Sequence, residues 1–284
     1  MFKSMLVTSI VLAASVPAMA TVLVSDPFTD GGRTNGADAL DIAWWQTGGT
    51  GPLAMFAVQN DPSTSSNALF RDPNGGFSSF IGFFGATAQS LAVGDSISLS
   101  LDVRFTTLPA NQNNAFRFGL YNSQGTQQAD DFGGNSGNNF NNRLGDAGYY
   151  AGLNFGTASN LSAFFREVDT GGVLVGGAEV VGVGTNFASV VVDLLPHNLR
   201  LIVSRTAVGL DLSYSYDNGT PVVRSDTTPI TTAFDTIVIG QGNAVNPFYI
   251  DNVNVVYTPI PEPTLATVLL GTACLALRRR SKTA

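Results

Sequence analysis

Reactive side chains are scarce in this chain. Among 284 residues there is one cysteine, Cys274, and one histidine, His197. A lone cysteine excludes an internal disulfide, and its place in an apolar run near the C-terminus removes thiolate chemistry from the rest of the chain. There it serves as a small apolar residue or as a lipid attachment point. A lone histidine excludes zinc and iron centres that need several imidazoles. Lysine is absent between Lys3 and Lys282, and glutamate occurs only at Glu167, Glu179 and Glu262. Five basic residues sit in the two ends, at Lys3, Arg278, Arg279, Arg280 and Lys282. Nine arginines then stand against 21 acids, a balance near −12. That sign argues against a nucleic-acid partner, which needs a basic footprint to release counterions.

Catalytic patterns are missing too. His197 follows Pro196 ahead of a strand-like run, and no Gly-x-Ser-x-Gly elbow precedes it. Neither a Walker loop nor a Rossmann fingerprint is present. Glu167-Val168-Asp169 is followed by Thr170-Gly171, so a Glu-x-Asp-x-Glu strand, as in laminarinase-like enzymes, lacks its third acid. No catalytic residue is assigned, and the chain is read as a non-enzyme.

What is present is β-structure. No central segment keeps the i, i+3, i+4, i+7 spacing of an amphipathic helix, and 31 glycines with 13 prolines would interrupt one. Ser96 to Phe105 alternates: Ile97, Leu99, Leu101, Val103 and Phe105 on one face, Ser98, Ser100, Asp102 and Arg104 on the other. That is the period of a strand with one buried face. Phe116, Phe118 and Leu120 repeat it around Arg117. Asp217-Asn218-Gly219 between Tyr216 and Pro221 reads as a hairpin turn. Short strands about ten residues apart predict a sandwich or barrel. The rhythm breaks over 122–148, rich in Gly and Asn and carrying Asp130, Asp131 and Asp146. A connection of that length is either a mobile excursion or a ligand or Ca²⁺ loop.

The two ends carry delivery signals. Met1 to Lys3, the apolar run Met5 to Val16 and Ala18-Met19-Ala20 form a secretory leader read by signal peptidase, with the mature chain starting near Thr21. The other end runs Pro261-Glu262-Pro263, then an uncharged stretch from Thr264 to Leu277, then Arg278-Arg279-Arg280. This resembles the PEP-CTERM sorting tail. The resemblance implies recognition by an exosortase of a Gram-negative bacterium, transient membrane retention through the tail, and cleavage near the motif. Fourteen residues make a helix of roughly 21 Å, short of a ~30 Å hydrocarbon core, which fits a membrane stop.

The opening Thr21 to Val24, Asp26-x-Phe28-x-Asp30-Gly31 and Trp44-Trp45 resembles exported LamG/concanavalin-like domains. Tyr249 to Val255 is similar to their closing strand. The resemblance implies that first and last strands pair. It also implies a structural Ca²⁺ where they meet, held by Asp26, Asp30 and Asp251. Against this stands the ordinary use of such aspartates, capping their own turns. Sugar-stacking aromatics in such folds lie beside loops, and Trp44, Trp45, Tyr149 and Tyr150 are the candidates, with filling of the core as the competing role.

The expected architecture is all-β: a two-sheet antiparallel sandwich, jelly-roll or concanavalin-like, over 21–257. A signal helix precedes it at 1–20, and a hydrophobic helix follows within a sorting tail at 258–284. The expected function is a non-catalytic, structural or adhesive protein of the cell surface or extracellular matrix, or a module binding an extracellular polysaccharide. A glycoside hydrolase or lyase is the weakest reading. Protein recovered from its native host is expected to begin at Thr21 by intact-mass measurement; a mass that retains Met1 to Ala20 contradicts the leader.

Overall fold

The computed structural model describes residues 19–34, 39–47, 56–72, 79–107, 116–127, 131, 145–154, 162–168, 179–186, 193–241 and 247–260. Residues 1–18 of the leader, the Pro261-Glu262-Pro263 motif, Cys274, Arg278, Arg279 and Arg280 lie outside these residues, and with them most of the expected signal helix and the expected hydrophobic helix. So do Asp130 and Asp169, and the side chains of Glu167 and Glu179 are not among those described. Among the described residues no helix is long and apolar enough to cross a membrane.

Seventeen strands are described: β1 Thr21–Asp26, β2 Trp44–Thr47, β3 Phe56–Asn60, β4 Asn67–Arg71, β5 Ser79–Phe83, β6 Gln89–Ser90, β7 Ser96–Phe105, β8 Phe116–Asn122, β9 Ala147–Asn154, β10 Ser162–Val168, β11 Glu179–Asn186, β12 His197–Arg205, β13 Leu210–Tyr216, β14 Val222–Asp226, β15 Ala233–Phe234, β16 Thr236–Gln241 and β17 Phe248–Thr258. One sheet runs β14-β13-β12-β7-β17-β4-β3, with β1 also on β17. The second runs β11-β10-β9-β8-β16-β5-β2. A small β15-β6 pair stands apart. Every described pairing is antiparallel, as the sandwich expectation required.

The core lies between the two large sheets. From the first come Leu99, Leu101, Val103, Leu199, Leu201 and Tyr214; from the second, Phe116, Phe118, Leu120, Ala151, Ile237 and Ile239. These are the alternate residues of each strand, so one face of every ladder is apolar. Aromatic edges join the sheets: Phe118 meets Tyr214 at 5.4 Å and Phe116 meets Phe248 at 5.3 Å, both T-shaped.

The first and last strands pair, Thr21 opposite Tyr257 and Asp26 opposite Val253. The β13–β14 turn also forms where expected, but its positive φ values fall on Asp217 (48°) and Asn218 (56°). Gly219 is used differently, donating its N–H to Tyr216 O at 2.9 Å.

Edge strand β2 has a guard. Arg33 Nη1 donates to Trp44 O at 2.8 Å and the guanidinium pairs with Asp131. Asp131 Oδ1 in turn accepts the Gln46 N–H at 2.8 Å. An unpaired backbone edge is a template for aggregation, and here a carboxylate covers one of its donors. Burial alone would raise the Asp131 pKa. The Arg33 guanidinium and the Gln46 N–H outweigh it and hold the carboxyl below its ordinary value. Ser123, near the start of the same connection, donates to Asp235 through N and Oγ at 2.8 and 2.7 Å. The described parts of 122–148 are therefore fastened to the second sheet.

Truncating Leu101, fully buried on β7, is expected to cost about 2–5 kcal/mol in urea unfolding, because the surrounding strands collapse only partly into the cavity. Ser100→Ala, on the opposite face of the same strand, should stay within about 0.5 kcal/mol.

Candidate functional site

Strand β17 carries the site. One edge pairs with β7; the other pairs with β4 through Phe248, Tyr249 and Ile250, then with β1 from Val253 onward. Between these stretches the register against β7 slips, from Asp251 opposite Asp102 to Asn254 opposite Ser100. Asn252 takes φ = 51°, in the left-handed region that Asn tolerates better than most residues. This is a β-bulge, which bends its strand and re-aims side chains.

Where β4 and β1 part, a cavity of about 350 Å³ opens. Pro27 and Thr29 follow β1, Asp61, Thr64 and Ser66 come from the β3–β4 turn, and β7 contributes Asp102, Val103 and Arg104. Pro196, Tyr249, Asp251 and Asn252 complete the wall. The volume falls in the range of small-molecule sites.

Two cross-strand ladders floor it. In one, Asn198, Asp102 and Asp251 lie opposite one another on β12, β7 and β17. Asn198 Nδ2 donates to Asp102 Oδ1 and Asn252 Nδ2 to Asp102 Oδ2, each at 2.8 Å. Asp251 Oδ1 accepts the Asn252 N–H at 2.8 Å, and Asp251 Oδ2 accepts Ser66 Oγ at 3.2 Å. Like charges directly opposite in a sheet are destabilising. Burial raises the Asp251 pKa, the two hydrogen bonds oppose it, and the charges of Asp102 and Asp61 add to the rise.

The second ladder sets Arg104 opposite Tyr249 and Tyr249 opposite Phe70. The guanidinium carbon lies 4.6 Å from the Tyr249 ring centroid, and Phe70 packs on the ring at 4.7 Å. Arg104 also grips Asp61 with Nε at 2.7 Å and with Nη2. Arg104 stands on the face expected to be wet yet is only 8% exposed, because Asp61 and the ring take the place of water.

Most residues singled out in the sequence have other duties. Trp44, Tyr149 and Tyr150 are fully buried, which corrects their expected role as sugar platforms: a ring without a free face cannot stack on a pyranose. Trp44 Nε1 donates to Asp26 Oδ2 at 2.7 Å, and Tyr149 hydroxyl to Asp226 Oδ2 at 2.7 Å. Trp45 alone of the four is half-buried. Asp26, Asp30 and Asp251 do not converge. Asp26 Oδ1 accepts Phe28 N at 3.0 Å, Asp30 Oδ1 accepts Gly32 N at 3.0 Å, and Asp251 belongs with Asp102 and Asp61. Among the described residues no three His, Cys, Asp or Glu side chains are grouped to hold a metal ion. His197 has Nδ1 at 2.8 Å from Asp217 Oδ2 and Nε2 at 3.1 Å from Asp193 Oδ1, with carboxylates rather than a serine on both sides.

Asp61, Asp102, Arg104 and Tyr249 were not singled out in the sequence as site residues. One signal marks their place: Ile250 and Val253, both core-facing, stand three residues apart where a regular strand allows two.

No family model and no curated protein matches the chain. Similar solved structures include the potassium-bound carbohydrate recognition domain of Emp46p, at 13% identity and TM-score 0.47, covering 76% of this chain and 89% of that one. A carbohydrate esterase of the Shiga toxin-encoding bacteriophage phi24B is 16% identical at TM-score 0.48, covering 85% and 100%. A legume lectin-like domain of Entamoeba histolytica is 15% identical at 0.46, covering 76% and 90%. These likenesses are distant and carry no information about ligand or activity.

Burial pushes the Asp26 carboxyl up to about 6, against the Trp44 and Phe28 hydrogen bonds and with help from the charges of Asp41 and Asp30. A raised acid leaves the native state holding more protons than the unfolded chain between pH ~4 and ~6. Its contribution to stability therefore falls as pH rises through that window. In thermal unfolding, the midpoint of the native protein relative to Asp26→Asn is expected to drop between pH 4 and 6; a difference that is flat or rises contradicts the assignment.

Proposed function

We propose that the protein is an exported component of the cell envelope or extracellular matrix, sorted by exosortase through its tail, whose sandwich binds an extracellular polysaccharide without cleaving it. The observation that carries the binding reading is the cross-strand pair of Asp102 and Asp251 at the floor of the cavity. Asp102 is oriented by two amides and Asp251 by a hydroxyl and a backbone N–H. Sugar hydroxyls are donors, and carboxylates fixed in this way accept them without further ordering. Each hydroxyl donated to an ionised carboxylate contributes roughly 1.5–3 kcal/mol. Arg104 is already matched by Asp61, so the cavity stays net negative and disfavours uronates and sulfated sugars. Tyr249 is flanked by Arg104 and Phe70, so selectivity comes from hydrogen bonds rather than ring stacking.

The non-catalytic reading is supported by the surroundings of His197 and by the truncated Glu167-Val168-Asp169 pattern. A purely structural or adhesive role is the competing account. The two separate on a glycan array probed with the mature protein, followed by calorimetry. Binding to a neutral oligosaccharide is expected, with Asp102→Ala and Asp251→Ala each weakening it at least about tenfold. Trp44→Ala and Tyr150→Ala should destabilise the fold, whereas Trp45→Ala should leave affinity unchanged. Silence across the array sinks the binding reading. Release of new reducing ends from any bound glycan overturns the non-catalytic one.

A further inference from the structure

Two neighbouring turns carry the same uncharged tripeptide. Ala92-Val93-Gly94 precedes β7, and Ala207-Val208-Gly209 joins β12 to β13. Gly94 N donates to Arg205 O and Arg205 N to Asp95 O, both at 2.8 Å, so the two tips lie side by side. Val93 is 61% exposed and Val208 73%. Turn tips normally present Gly, Asn, Asp, Ser or Pro, each for a backbone reason that valine does not supply. Single exposed valines are ordinary on a protein surface. A matched pair on adjacent tips, with nothing charged in either tripeptide, is less so.

Two of the flanking charges are engaged by the protein itself. Asp95 is 4% exposed and accepts the Ala92 N–H at 2.9 Å and the Tyr257 hydroxyl at 2.6 Å. Arg205 Nη1 reaches back to Gly209 O at 3.4 Å. The last strand leaves the sandwich at this same end, because Thr258 pairs with Ser96 at the start of β7. Six residues farther on, Thr264 opens the uncharged run to Leu277. Six residues span at most about 20 Å fully extended.

We propose that this end of the sandwich faces a lipid bilayer, with Val93 and Val208 entering its headgroup layer while the C-terminal run holds the domain there. The inference rests on the reading of that run as a membrane stop. Two valines offer too little apolar surface to bind a membrane unaided. Tethered within about 20 Å, they meet lipid at high effective concentration, so a weak contact suffices to orient the domain. The acidic balance of the chain repels anionic lipid, and the two uncharged tips add nothing to that repulsion.

The test uses the full chain, tail included, reconstituted in vesicles of phosphatidylethanolamine and phosphatidylglycerol whose acyl chains carry bromine as a fluorescence quencher. Val93→Trp and Val208→Trp report on the proposed face. Thr220→Trp, on the exposed β13–β14 turn at the opposite end, is the control. All three should float with the vesicles. The emission added by the first two should lose roughly half its intensity, as expected of a side chain sunk into the headgroup boundary, and that of the control should not change. Flotation with no quenching at Val93→Trp and Val208→Trp, or with equal quenching at all three sites, overturns the inference and leaves the tail reading intact. Failure to float overturns the tail reading and the inference with it. Should a tryptophan disturb its turn, amide hydrogen exchange of the unaltered chain decides: slower exchange across 92–95 and 206–209 in vesicles than in detergent supports the contact, and equal rates refute it.

Discussion

One strand has more neighbours than a regular ladder can serve. β17 sits inside its sheet, with β7 along one edge and both β4 and β1 to be seated along the other. The bulge at Asp251 and Asn252 is what permits this. It ends the pairing with β4 after Ile250, restores the inward face at Val253, and lets β1 join from there. A left-handed Asn252 costs on the order of 1 kcal/mol, small beside the ladder it allows to continue. The cavity is lined by Asp251 and Asn252 of this bulge and by the turns that adjoin β4 and β1, so the break that seats both strands also borders the site.

The acidic composition has an equally local explanation. Asp26, Asp30, Asp61, Asp193 and Asp226 each accept the N–H two residues ahead, which fixes a turn. Those oxygens are engaged by backbone donors, so their number does not translate into a calcium centre. Asp102 and Asp251 differ. Their partners are two Asn side chains, a serine hydroxyl and the Asn252 N–H, and they face each other across a ladder where opposed charge is unfavourable. Hydroxyl donors from a ligand of the proposed kind would relieve that repulsion.

The sandwich was legible in the sequence because alternation leaves a direct trace. Ile97, Leu99, Leu101, Val103 and Phe105 all turn inward as their spacing predicts, and the first and last strands meet. Strand β11 was not legible, because its Gly- and Val-rich composition keeps no period of two. The site was harder still. Trp44, Tyr149 and Tyr150 look like sugar platforms in one dimension, but each is enclosed in the structure, Trp44 and Tyr149 with hydrogen bonds to buried aspartates. Asp61 and Arg104 are 43 residues apart and meet only when the β3–β4 turn folds over β7. Such a pair leaves no local pattern, whereas the three-residue step from Ile250 to Val253 was visible and marks the bulge.

The break in β17 is proposed to build a site for a polyhydroxylated ligand. A crystal structure of the mature protein soaked with a bound oligosaccharide tests it most directly. A sugar ring is expected in the cavity, with hydroxyls within hydrogen-bond distance of both Asp102 and Asp251. A sugar seated on any other face, with the Asp102 and Asp251 carboxylates untouched, contradicts it.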